Sequence, residues 1–140
     1  MGKILVFFLF VLISFDSTNS SLPPFFKRFH IQIVNQLEFH KKLRIQCASG
    51  SFHESRLPTL YLNTSESILI NFNIIPYVPF WCTLRQGPNY IHKVYFEAFF
   101  PSRKFIDGTC NGMHPNVCMW VAKERAIYVL HDHVLRERKP

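Results

Sequence analysis

The stretch Ile68-Leu69-Ile70-Asn71-Phe72-Asn73-Ile74 sets Ile68, Ile70, Phe72 and Ile74 against Leu69, Asn71 and Asn73. Side chains of an extended chain alternate between two faces, so a period of two sends the first set to one side and the second to the other. A helix would instead gather its apolar residues at every third or fourth position. The stretch therefore predicts a strand with one face turned to a core.

The same period recurs in both directions along the chain. Phe29, Ile31 and Ile33 alternate with His30 and Gln32, and Leu43, Ile45 and Cys47 with Arg44 and Gln46. Phe80, Cys82 and Leu84 alternate with Trp81 and Thr83, and Val94, Phe96 and Ala98 with Tyr95 and Glu97. Cys118, Trp120 and Ala122 form one face of a further run, and Ile127 and Val129 belong to a last one. Turn-forming clusters at 35–42, 48–55, 86–89 and 107–116 separate these runs. No 11-residue window carries a helical stripe, and there is no internal repeat. Short strands at this spacing predict an all-β fold, a small antiparallel β-sandwich of immunoglobulin-like architecture. The basic tail 134–140 is expected to fray.

The N-terminal segment MGKILVFFLFVLISFDSTNS has a positive Lys3, an apolar run from Ile4 to Phe15, and small residues at Thr18 and Ser20. This is the pattern of a secretory signal peptide over residues 1–20, too short for a membrane span of roughly 20 apolar residues. The expected mature chain, 21–140, is one domain large enough for a single core. Its net charge of +7 favours anionic partners: wall polysaccharides, lipid head groups or acidic receptor faces. No nucleic-acid recognition motif is present.

All four cysteines, Cys47, Cys82, Cys110 and Cys118, lie in the mature part. An even count in a small secreted chain predicts two disulfides. Zinc would want close pairs such as C-x-x-C, which the spacing from Cys110 to Cys118 does not match, and His114 between them reads as a solvated loop residue. A cysteine nucleophile would need a lowered pKa, and the secretory route would tend to oxidise it. Of the three connectivities, the inward phase of Cys47, Cys82 and Cys118 favours sheet-bridging pairs, Cys47 with Cys118 and Cys82 with Cys110. The alternative, Cys110 with Cys118, would close a short loop.

Catalysis is not expected. His131-Asp132-His133 would place two imidazoles on one face of a strand, but there is no G-x-S-x-G elbow, no H-E-x-x-H and nothing that fixes a phosphate site. No cofactor or metal is implied. Asn63-Thr64-Ser65 is a glycosylation sequon, which makes Asn63 a glycan acceptor candidate. Loops vary freely on a rigid sandwich, so contact surfaces are sought at 49–55, 86–91 and 101–107. Arg85, Lys93, Arg103 and Lys104 near the last two are the candidates for meeting an acidic receptor face.

The ordered pattern "IQIVNQL…LRIQCAS…PFWCTLRQG…VYFEAF…C…CMW…IY" resembles the plant self-incompatibility protein family, the S-protein homologues. Its carriers are Val34, Asn35, Leu37, Leu43, Ile45, Cys47, Phe80, Trp81, Cys82, Phe96, Cys110, Cys118, Trp120, Ile127 and Tyr128. The resemblance implies a secreted β-sandwich with two disulfides and no catalytic residues. It also implies an extracellular ligand for a cell-surface membrane protein, as in founding members from poppy stigma that halt incompatible pollen. A monomer is expected. The competing reading is a basic, membrane- or wall-active defence protein, suggested by the charge together with Tyr90 and the aromatic segment 23–26. One departure stands out: the family's Asp-Gly before the final Ile-Tyr is replaced by Arg125-Ala126, so the last turn is expected to differ in type.

Overall fold

The computed structural model describes residues 23–50 and 55–138. The expected signal peptide, 1–20, and part of the loop 49–55 lie outside the described residues. The described residues form ten strands: β1 (Arg28–Asn35), β2 (Leu43–Ser49), β3 (Ser55–Arg56), β4 (Leu60–Leu62), β5 (Ser67–Asn73), β6 (Phe80–Gln86), β7 (His92–Phe99), β8 (Val117–Ala122), β9 (Ile127–His131) and β10 (Val134–Arg138). Among the described residues an α-helix, α1 (Arg103–Gly108), joins β7 to the loop before β8, and a 3-10 turn (Pro88–Tyr90) lies between β6 and β7.

The strands form two sheets. The first runs β10-β9-β8-β1-β5; the second runs β3-β2-β6-β7, with β4 also paired to β2. All pairings are antiparallel except β1 with β8, which is parallel. A parallel neighbour needs a long crossover, and here the chain builds the whole second sheet between the two strands.

Alternation assigned the inner faces correctly. Phe29, Ile31 and Ile33 of β1 are fully buried, as are Cys118 and Trp120 of β8, and they face Leu43, Ile45, Cys82, Leu84, Phe96 and Ala98 of the second sheet. Aromatic rings join the layers: Phe29 lies 5.0 Å from Phe99, Phe72 lies 4.4 Å from Phe80, and Phe96 lies 4.7 Å from Trp120. The indole Nε1–H of Trp120 donates to the Ala98 carbonyl at 3.0 Å, which satisfies the one polar atom of a fully buried ring.

Four expectations are corrected. The disulfides are Cys47–Cys82 and Cys110–Cys118, not Cys47–Cys118 and Cys82–Cys110. Register is the reason: Cys47 and Cys82 are direct partners on β2 and β6, with Cα atoms 4.1 Å apart. Packed sheets stand about 10 Å apart, a longer reach for a disulfide than a cross-strand neighbour. The loop at 101–107 holds α1, whose six residues are too few to show a helical period; Ser102 caps it by accepting the Phe105 N–H at 3.1 Å, and Phe105 and Ile106 are buried. The tail is not frayed through 134–138 but forms β10, paired to β9 in register from Val134–His131 to Arg138–Ile127. Finally, Asp132 and His133 are turn residues at positive φ, so His131 and His133 do not share a strand face.

The Arg125-Ala126 departure also has a local explanation. The Lys123 N–H donates to the Ala126 carbonyl at 3.1 Å, and none of residues 123–126 has positive φ, so this turn makes no demand for glycine.

Candidate functional site: the outer face of the second sheet

Residues facing away from the core on β2, β6 and β7 fall into rows set by strand register. In the first row Arg44 lies opposite Arg85, and Arg85 opposite Lys93; Tyr61 of β4 extends it on the other side of Arg44. In the second, Gln46 lies opposite Thr83 and Thr83 opposite Tyr95. In the third, Arg56 lies opposite Ala48, Ala48 opposite Trp81, and Trp81 opposite Glu97.

The first row places three cations on adjacent strands about 4.8 Å apart. Like charges directly opposed across a sheet are mutually destabilising. Among the described residues no carboxylate lies within ion-pair distance of Arg44, Arg85 or Lys93, and the Arg44 Nε is buried without a hydrogen-bond acceptor. Tyr90 reaches back from the β6–β7 tip to Tyr61, with ring centroids 5.9 Å apart. Gly87 makes the tip possible: its φ is +83°, and a Cβ there would stand 2.6 Å from His92 Cδ2.

Two carboxyls near this region are shifted in opposite directions. Partial burial raises the Glu97 carboxyl above its ordinary value, with Arg138 partly offsetting that effect. A raised carboxyl costs folding free energy at neutral pH, and the cost is relieved as pH falls through the folded value. Glu124, in the β8–β9 turn, is held low by the Lys41 ammonium donating at 2.7 Å and by the Glu38 N–H at 2.6 Å. Its contribution is present above the unfolded carboxylate range and is lost as pH falls through the depressed folded value.

The four cations singled out from sequence do not form one surface. Arg85 and Lys93 are cross-strand partners, whereas Arg103 and Lys104 lie on α1, beyond the far end of the eight-residue β7. That is about 25 Å of strand away. Arg103 sits 3.8 Å from Asp107 and borders a shallow basin with Lys27, Arg28, His114 and Asn116. Sequence reasoning missed Arg44, Arg56, Tyr61, Trp81 and Tyr95 as site residues. The outward phase of the alternation marked Arg44, Trp81 and Tyr95, but register alone makes them neighbours.

The remaining candidates are placed as follows. Asn63 is exposed in the turn between β4 and β5. His131 is largely buried, its Nδ1 2.5 Å from the Cys110 carbonyl and its Nε2 3.3 Å from Asp132, while His133 is exposed. Phe25 packs against the core and Phe26 is exposed. No helix among the described residues is long and apolar enough to cross a membrane.

Residues 30–139 match the family model of plant self-incompatibility protein S1. The chain belongs to this family. S-protein homolog 16 of Arabidopsis thaliana is 34% identical over 134 residues, covering 92% of this chain and 83% of that protein. S-protein homolog 17 of the same plant is 35% identical over 104 residues, covering 73% and 69%. A solved structure of SPH (self-incompatibility protein homologue) proteins superposes with a TM-score of 0.57 at 26% identity, covering 81% of this chain and 90% of that one. Those proteins are described as a widespread family of small, highly stable, secreted proteins from plants. This S-protein homologue is thus a two-disulfide β-sandwich of a secreted plant family.

Proposed function

We propose that this S-protein homologue is an extracellular signalling ligand, binding rather than catalytic, that presents the Tyr61–Arg44–Arg85–Lys93 row to an acidic face of a cell-surface membrane protein. The observation that carries the reading is the row itself: three opposed cations with no carboxylate partner among the described residues, on a face braced by a cross-strand disulfide. An acidic partner would relieve their repulsion and steer association. Arg103 and Lys104 fall outside this contact. Asn63, exposed in a turn two residues beyond Tyr61, is assigned as the glycan acceptor. Pollen–pistil recognition is one setting for such a ligand, and it requires the protein to be present in reproductive tissue.

The test is saturable binding of oxidised protein to plant cells at physiological salt. The double substitution Arg85→Glu and Lys93→Glu should weaken binding at least about tenfold, roughly 1.4 kcal/mol. Arg103→Glu with Lys104→Glu should change it little. Unaltered binding by the first variant would overturn the assignment of the row.

A further inference from the structure

Towards the other end of the same face lies an open groove of about 260 Å³. Trp81 stacked on Tyr95, with rings 5.1 Å apart and 14° from parallel, supplies an aromatic wall. Arg56 and Leu57 line it as well, together with the polar side chains of Gln46 and Thr83. Gln46 donates its Nε2–H to Thr59 Oγ1 at 3.2 Å, which leaves its carbonyl oxygen as an acceptor. Arg56 is exposed and has neither an ion pair nor a side-chain hydrogen bond among the described residues.

The volume falls just under the roughly 300 Å³ at which small-molecule pockets begin. One ring fits, and the open ends let a chain continue past it. The chemistry is mixed in a particular way. The stacked aromatic pair offers apolar surface to the C–H face of a pyranose, an amide and a hydroxyl suit ring hydroxyls, and a guanidinium pairs best with a carboxylate, bidentately. Glu97, the cross-strand partner of Trp81, is not among the residues that line the groove. A peptide is served less well. Strand addition would take place at the sheet edges, β7 on one side and β3 and β4 on the other, rather than across the groove over β2 and β6.

We propose that this groove binds an acidic saccharide, with one uronate ring against Trp81 and Tyr95 and its carboxylate on Arg56. The site goes beyond the receptor reading and uses different side chains from the Arg44–Arg85–Lys93 row, so either can fail alone.

The test is titration of the oxidised protein with a linear uronate trisaccharide at physiological salt, followed by amide NMR shifts and tryptophan fluorescence. The chain has two tryptophans, and Trp120 is fully buried, so a fluorescence response reports Trp81. Saturable shifts should centre on Gln46, Arg56, Trp81 and Thr83. Arg56→Gln and Trp81→Ala should each weaken binding about tenfold or more, read by NMR, while Arg85→Glu with Lys93→Glu retains it. A neutral trisaccharide of the same length should bind far more weakly. Absence of saturation would overturn the proposal, as would equal binding of the neutral sugar or of a glutamate-rich peptide. Equal loss in the Arg85/Lys93 variant would reduce the effect to general attraction of polyanions by a +7 surface, and would also sink it.

Discussion

Asn35 is the one buried polar residue among the described residues, and it ties the two sheets together. It closes β1 of the first sheet; its Nδ2 donates to the Leu62 carbonyl of β4 in the second sheet at 2.9 Å and to the Lys41 carbonyl at 3.0 Å. Its Oδ1 accepts the Leu37 N–H at 2.9 Å. Every polar atom of the amide is therefore engaged, and no acidic isostere can reproduce the pattern. Asn35→Asp removes both donors, sets a carboxylate against two carbonyls and buries a charge without a cation. The expected loss is about 3–5 kcal/mol in denaturant unfolding. The folded carboxyl would be raised, so relative to the parent the deficit should shrink as pH falls through that value. An Asp variant as stable as the parent at neutral pH would show that the amide does not tie the sheets. Sequence placed Asn35 in a turn cluster, because alternation identifies buried apolar residues and says nothing about a buried polar one.

At the scale of elements, what escaped the sequence was what lacked a local signal. β10 read as a tail because the turn before it, Asp132-His133, has no glycine. Both residues nonetheless stand at positive φ, 48° and 62°. Two positive-φ residues between paired strands make the type I′ hairpin, whose usual sequence is Asn-Gly. A non-glycine residue there costs about 1–2 kcal/mol, while glycine adds about 0.5–1 kcal/mol of unfolded-state entropy. His133→Gly should therefore stabilise the protein by about 0.5–1 kcal/mol, seen as a rise in Tm. A lower Tm would mean that the exposed imidazole makes a contribution its surroundings do not reveal. The β8–β9 turn behaves in the opposite sense: the family's glycine is absent and the backbone keeps φ negative throughout. β3 and β4, of two and three residues, are too short for any alternation to register.

At the scale of the whole molecule, alternation fixes which face a residue takes, and it identified β1, β2 and β5 to β9 and most of the core. It does not fix which strands are neighbours. The same gap hid the cation row and misassigned the disulfides, since Cys47 and Cys82 share an inward phase whether they bridge to each other or across the core. Register decides both. The two bridges then hold different spans of chain, 35 residues for Cys47–Cys82 and 8 for Cys110–Cys118. In the chain-entropy account the first contributes about 4 kcal/mol and the second about 2.5 kcal/mol. Cys47→Ala with Cys82→Ala should accordingly lower stability more than Cys110→Ala with Cys118→Ala, and each variant should show no alkylatable thiol before reduction. The crossed connectivity predicts otherwise. Each double substitution would then take one sulfur from each bridge, leaving two thiols free to alkylate or to re-pair, and both variants would lose both native bridges. Unequal stabilities with silent thiols support the pairing seen in the structure, whereas thiols that react in both variants, with a similar loss of stability, would refute it.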